Sequence, residues 1–135
     1  MLSNKSLGNT FEKELQKIFH ENGWWVHIFQ QNSSGQPCDL IAAKNGKTYL
    51  IDAKVISGKG FPLSRIEDNQ EYAMTMFKDR GNTDGWFAMK LPDGEIRLFT
   101  LWTLLALRQY QSSIPNEEIL KDGISIERWL KKYGT

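Results

Sequence analysis

The chain has 135 residues, 40% of them hydrophobic, a single cysteine and a formal net charge of +1. That length suits one domain, residues 1–135, with a sizeable core. The lone Cys38 rules out an intrachain disulfide and a multi-cysteine zinc site. The balanced charge gives no global excess for holding nucleic acid, so any such face must come from local segregation, with Lys44, Lys47, Lys54, Lys59 and Arg65 as the cations at hand. Ordinary solubility is the competing explanation for those cations. The longest apolar stretch, residues 98–107, is broken by Thr100 and Thr103 and is too short to span a bilayer. The opening Met1-Leu2-Ser3-Asn4-Lys5-Ser6 lacks the apolar core of a signal peptide, so cytoplasmic residence without membrane attachment is expected.

In chain order, residues 4–22 carry Leu7, Phe11, Leu15, Ile18 and Phe19 at helical spacing, and Gly23 stops the helix. Residues 24–29, Trp-Trp-Val-His-Ile-Phe, read as a strand, and residues 30–37 as a polar loop. Leu40-Ile41-Ala42-Ala43 and Thr48 to Val55 are two further strands joined by Asn45-Gly46, a strong two-residue hairpin signal. A Gly-rich connection, Ser57-Gly58-Lys59-Gly60, leads to a helix over residues 67–80 that Gly81 ends. A second hairpin, residues 86–91 and 95–99, turns at Pro92-Asp93-Gly94; helices follow over residues 101–110 and 126–133. The order α-β-β-β-α-β-β-α-α predicts an α/β fold, a mixed central sheet flanked by helices.

The chemistry concentrates on the first hairpin. Along a strand side chains alternate, so Asp52 and Lys54 share one face while Ile51, Ala53 and Val55 take the other. An otherwise apolar strand has no structural reason to aim a carboxylate and an ammonium the same way, and such a pair is costly to bury unless it holds a metal or mutual hydrogen bonds. The hairpin can bring Asp39 to Asp52. Two converging carboxylates beside a lysine form a hard-cation site with a positive group for a phosphate. The bland alternative is a solvated hairpin with a weak surface pair. Glu12 and Glu14 flank the stripe of the first helix at equal angles, so periodicity does not choose a third carboxylate between them.

Other residues carry less. Trp24 and Trp25 point to opposite faces of their strand, so one indole lies outside the core, as a dimer surface or base-stacking platform, or simply as core and rim packing. Trp86, Trp102 and Trp129 are assigned to packing. His20 and His27 lack metal-ligand spacing, and Cys38 has no histidine placed to activate it. The loop with Ser33, Ser34 and Gly35 is either a phosphate contact or an ordinary connection. Ser57-Gly58-Lys59-Gly60, beside Lys54, suits a mobile flap touching DNA.

Gly8-Asn9-Thr10-Phe11-Glu12, then Asp39, then Asp52-Ala53-Lys54, resembles the PD-(D/E)xK nuclease superfamily, and within it the RecU-type Holliday-junction resolvases. Phe61-Pro62-Leu63, Asn69-Gln70, Ser113-Ile114-Pro115 and Gly123 also match pieces of that family. The resemblance implies a restriction-endonuclease-like core. It puts Glu12, Asp39 and Asp52 on the metal positions, Lys54 on the catalytic lysine and Gln70 on a glutamine near the site, and so breaks the tie towards Glu12. The strand has Asp52 where RecU proteins usually have Glu, and Cys38 where Thr is usual. The stalk of RecU is missing, and the compact form looks more like archaeal Hjc-type resolvases or a phage-encoded relative.

By that resemblance the chain is expected to be a Mg²⁺-dependent endodeoxyribonuclease, with Mn²⁺ as a substitute, resolving four-way DNA junctions as a homodimer in the cytoplasm of a bacterial or phage-infected cell. Lys59, Arg65, Ser33 and Ser34 are its expected DNA contacts. Two rivals are a nuclease of the same fold acting on duplex ends, flaps or restriction-type sites, and a non-catalytic binding module, whose signature would be a broken acidic set. The acidic set here is intact.

Overall fold

The computed structural model describes residues 4–30 and 35–135. Helix α1 (Asn4–Glu21) leads into strand β1 (Trp25–Ile28), and the hairpin of β2 (Leu40–Lys44) and β3 (Lys47–Val55) follows. Asn45 and Gly46 both take positive φ, 55° and 80°, as a two-residue turn matching the twist of its strands requires. A short strand β4 (Gly60–Pro62) and a 3₁₀ turn (Leu63–Arg65) precede α2 (Asp68–Asp79). Strands β5 (Trp86–Lys90) and β6 (Ile96–Thr100) form the second hairpin, then come α3 (Leu101–Arg108), β7 (Ser113–Pro115), α4 (Asn116–Asp122), β8 (Ile124–Ser125) and α5 (Ile126–Tyr133).

Six strands make one sheet in the order β1-β2-β3-β5-β6-β8. All neighbours are antiparallel except β3 and β5, which run parallel with α2 in the crossover between them. A separate two-stranded sheet pairs β4 with β7. The expected α/β arrangement of a mixed sheet under helices is therefore present. Four elements were not anticipated: β4, β7, α4 and β8. Each is short, and the first two end in Pro62 and Pro115, which cannot donate to a ladder and so read as loop. Their pairing comes from contact between segments more than 50 residues apart, which no local pattern reveals.

Alternation along the strands builds two cores. On one face, Phe11, Leu15 and Phe19 of α1 and Ile126 and Trp129 of α5 cover Tyr49, Ile51 and Ala53. On the other, Met74 of α2, Leu104 of α3 and Ile119 of α4, with Phe61 and Ile114 of the small sheet, cover Leu50, Phe87 and Met89. The first core centres on Trp129, whose ring centroid lies 5.1–5.8 Å from Phe19, Trp24, Tyr49, Trp86 and Tyr133, mostly edge to face. Trp24, Trp86 and Trp129 thus pack as expected. Trp102 does not: it stands 49% exposed on the outer side of α3, because Leu101 and Leu104 take the inward face of that helix.

Trp129→Ala is expected to cost about 3–5 kcal/mol of folding stability, since it empties a fully buried site bounded by rigid rings. Chemical denaturation reads this directly, and a loss under about 1 kcal/mol would mean that the rings collapse into the space.

Candidate active site

Strand β3 is nine residues long and reaches beyond β2, which begins only at Leu40. The Ala53 N–H therefore has no strand partner on that side, and it donates instead to Asp39 Oδ2 at 2.8 Å. This bond brings the Asp39 carboxylate to the edge of β3, beside Asp52. Asp52 is fully buried. Its Oδ1 accepts from Gln70 Nε2 at 2.7 Å, and Lys54 Nζ sits 3.1 Å from Oδ2. The ion pair is close but not aligned as a hydrogen bond, so Oδ2 is a buried acceptor with none. The alternative of a solvated surface pair is thereby excluded: Lys54 is itself 8% exposed.

Gln70 is fixed at both ends of its amide. It sits in the first turn of α2, where Oε1 accepts from the Glu67 N–H at 3.3 Å, one half of a reciprocal cap. The helix start and the Asp52 orientation are thus set by one side chain.

Glu12 projects from α1, on the opposite layer, and is also buried. It lines a cleft of about 870 Å³ at the end of β3 together with Asp39, Lys54, Lys59, Arg65 and Gln70. Glu14 turns away and pairs with Lys90 Nζ at 2.5 Å. The two glutamates that periodicity left equal are therefore separated by their partners. Among the described residues no three Asp, Glu, His or Cys side chains converge on a single ion-sized point. The close pair is Asp39 with Asp52, and Glu12 stands on the cleft wall.

Burial holds the Asp52 carboxyl well above its ordinary value, the Asp39 charge adds to the rise, and Lys54 opposes it. Two facing carboxylates in a desolvated place keep a proton unless a cation replaces it. The donor set is all oxygen, and Oδ2 of Asp52 lacks a hydrogen bond. These residues fit a hard divalent ion, since Mg²⁺ binds through one or two carboxylates and keeps several waters.

The remaining candidates divide. Lys59 and Arg65 border the cleft, whereas Lys44 bonds the Asn22 carbonyl at 2.9 Å near the β2–β3 turn, at the far end of the hairpin with Lys47. The five cations therefore do not form one face. Arg65 Nη1 donates to the Val55 carbonyl at 3.0 Å and lies over the Phe61 ring at 5.5 Å. Ser33 and Ser34 lie outside the described residues. Cys38 is buried, its thiol donates to the Leu40 carbonyl at 3.2 Å, and desolvation with the Asp52 charge pushes it up to about 12. It is a protonated packing residue.

The Ser57–Gly60 segment is tied to the start of α4 through Asn116. Asn116 Nδ2 donates to the Gly58 carbonyl and its N–H to the Lys59 carbonyl, each at 2.9 Å. A Cβ on Gly60 would lie 2.5 Å from the Ile114 carbonyl oxygen, so only glycine permits this approach. Asn116 carried no signal in the sequence, because its role depends on a contact across 58 residues.

A mixed sheet that delivers Asp39, Asp52 and Lys54 to one end, with an acidic residue arriving from the first helix, defines a nuclease of the PD-(D/E)xK class. The sequence profile of the archaeal Holliday junction resolvase (Hjc) family matches residues 3–134, and the chain belongs to that family. The compact, stalk-less side of the resemblance is the one this match carries. Among solved structures, Hjc from the hyperthermophile Archaeoglobus fulgidus, described as a Holliday junction resolvase, is similar in fold at a TM-score of 0.67 and 18% identity, covering 91% of this chain and 98% of that one. No curated protein sequence matches the chain.

The raised Asp52 carboxyl has a definite sign in stability. Between the ordinary value of 3.8 and the raised one, the folded protein holds a proton that the unfolded chain has lost, so stability falls as pH rises through that window. Thermal melts of the metal-free protein from about pH 4 to about pH 8 should show this decline, and Asp52→Asn should flatten it and melt higher at neutral pH. An unchanged profile in the variant would mean that another group titrates.

Proposed function

We propose that the chain is a Mg²⁺-dependent endodeoxyribonuclease that cuts four-way DNA junctions by paired symmetric hydrolysis as a homodimer, with Mn²⁺ as a working substitute. Membership of the Hjc family carries the substrate class, Holliday-junction DNA, and with it endonuclease activity. The observation that carries the metal reading is the Asp39–Asp52 carboxylate pair at the cleft, buried at Asp52, with the cation Lys54 beside it.

Asp39 and Asp52 would hold the divalent ion, and Glu12 would reach it through water from the cleft wall. When bound, the ion supplies Lewis-acid charge and a water of lowered pKa. The protein does the rest. Gln70 keeps Asp52 in one rotamer by its 2.7 Å bond. Lys54, held against Asp52 at the cleft floor, orients the attacking water or stabilises the charge that develops on the phosphate oxygens. Lys59 and Arg65 on the rim bind backbone phosphates, which fixes register without reading sequence. A substrate with pseudo-two-fold symmetry needs two equivalent sites, and a two-fold homodimer supplies them. No helix among the described residues is long and apolar enough to cross a membrane.

The test is cleavage of a labelled immobile junction in Mg²⁺ beside matched linear duplex, flap and single strand. Paired nicks on the junction alone support the reading, and equal cutting of every substrate defeats its junction part. Asp52→Asn should abolish cleavage while junction binding persists; loss of both would make Asp52 a folding residue. Lys54→Ala should lower the cleavage rate about 100- to 1,000-fold. Gln70→Ala, which frees Asp52 without touching the ion, should lower activity about 10- to 100-fold and weaken Mg²⁺ dependence in titrations.

A further inference from the structure

Strand β1 is an edge of the large sheet, and its residues divide cleanly. Val26 and Ile28 enter the core under α1. Trp25, His27 and Phe29 point the other way, and their partners across the ladder are Ala43, Ile41 and, by the Phe29 N–H bond to its carbonyl, Asp39. Following register into β3, Ile41 opposes Leu50, so the row stands on the same sheet face as Asp52 and Lys54. Helix α1, which packs on β1, covers the opposite face.

The row is ordered, and its outer two rings are open, while Phe29 is half-buried against the second core and anchors the inner end. The Trp25 and His27 rings are 6.3 Å apart and nearly parallel at 12°, and His27 meets Phe29 edge-on at 5.3 Å. Trp25 is 61% exposed, the most accessible of the five tryptophans. Its inner end is Phe29, whose main chain is bonded at 2.9 Å to the residue that supplies a cleft carboxylate.

A second copy of the chain is a poor occupant on size, because three rings offer far less than the about 800 Å² per partner of a stable protein interface. A nucleobase is a good one. Aromatic rings bind bases through their flat faces, independently of sequence. Linear duplex hides those faces except at its ends, whereas a branch point interrupts the stack and presents them. We infer that the Trp25–His27 pair, anchored by Phe29, is a base-stacking surface that receives an unstacked nucleobase at the branch point of branched DNA beside the cleft. The inference rests on the junction reading of that cleft and deepens it: stacking at the branch distinguishes a junction from linear duplex without any base-specific contact.

Trp25→Ala, Trp25→Phe and wild type are compared in EDTA, where binding is read without cutting. The probes are a four-way junction with 2-aminopurine at the branch point, a thymine oligonucleotide and a linear duplex. The alanine variant should lose about tenfold or more in affinity for the junction and the oligonucleotide, lose the 2-aminopurine response, and hold duplex as wild type does. The phenylalanine variant should recover most of the loss. Equal binding of all probes by all three proteins overturns the inference, and so does equal weakening of every probe. A drop in sedimenting mass for the alanine variant also overturns it, by assigning the row to a protein interface. The cleft reading is judged separately by Mg²⁺ cleavage: wild type that cuts no junction but keeps the Trp25-dependent stacking signal loses the nuclease reading alone.

Discussion

The buried carboxylate of Asp52 organises this protein. A lone carboxylate in an apolar layer costs several kcal/mol, and removing any one partner exposes that cost. Two groups meet it: Lys54, two residues along β3, and the Gln70 amide from the first turn of α2. Asp39, held just before β2 by the Ala53 N–H, adds a second negative charge beside it. Because Gln70 also caps α2, the helix cannot start elsewhere without loosening Asp52. The site and the βαβ crossover are therefore one mechanical unit.

The two layers contribute differently. The α1 and α5 layer is a dry aromatic core around Trp129, and it sends a single acidic group, Glu12, to the cleft. The opposite layer, with α2 and the small β4–β7 sheet, provides the polar groups and the basic rim. The cleft opens where the layers meet beyond the end of β3, so its walls belong to different cores. Such a place admits charged groups from both sides while the strands behind it stay packed.

Much of this was legible in the sequence, and for local reasons. Asn45-Gly46 named its own turn, and period-two alternation placed Asp52 and Lys54 on one face. Alternation also sent Trp24 and Trp25 to opposite sides, which the 4% and 61% exposures match. What stayed hidden depends on distant partners. Glu12 and Glu14 are equivalent on a helical wheel and differ only because Lys90, 76 residues away, meets Glu14. The β4–β7 sheet is two three-residue strands ending in proline, and Asn116 acquires its task from a loop far upstream. The local pattern also hid the exposure of Trp102, since α3 has too few residues to mark which side faces out.

Asp39 has an unusual double employment. Its carboxylate terminates the hydrogen-bond ladder of β3, standing in for the carbonyl that a longer β2 would have offered to Ala53. An alanine there removes a negative charge and also orphans a main-chain amide at the cleft end of β3, so its phenotype mixes chemistry with architecture. An asparagine keeps an acceptor oxygen for that amide and isolates the charge. A variant of the chain that keeps only the scaffold has reason to retain a short polar acceptor at this position for the sake of the Ala53 amide alone.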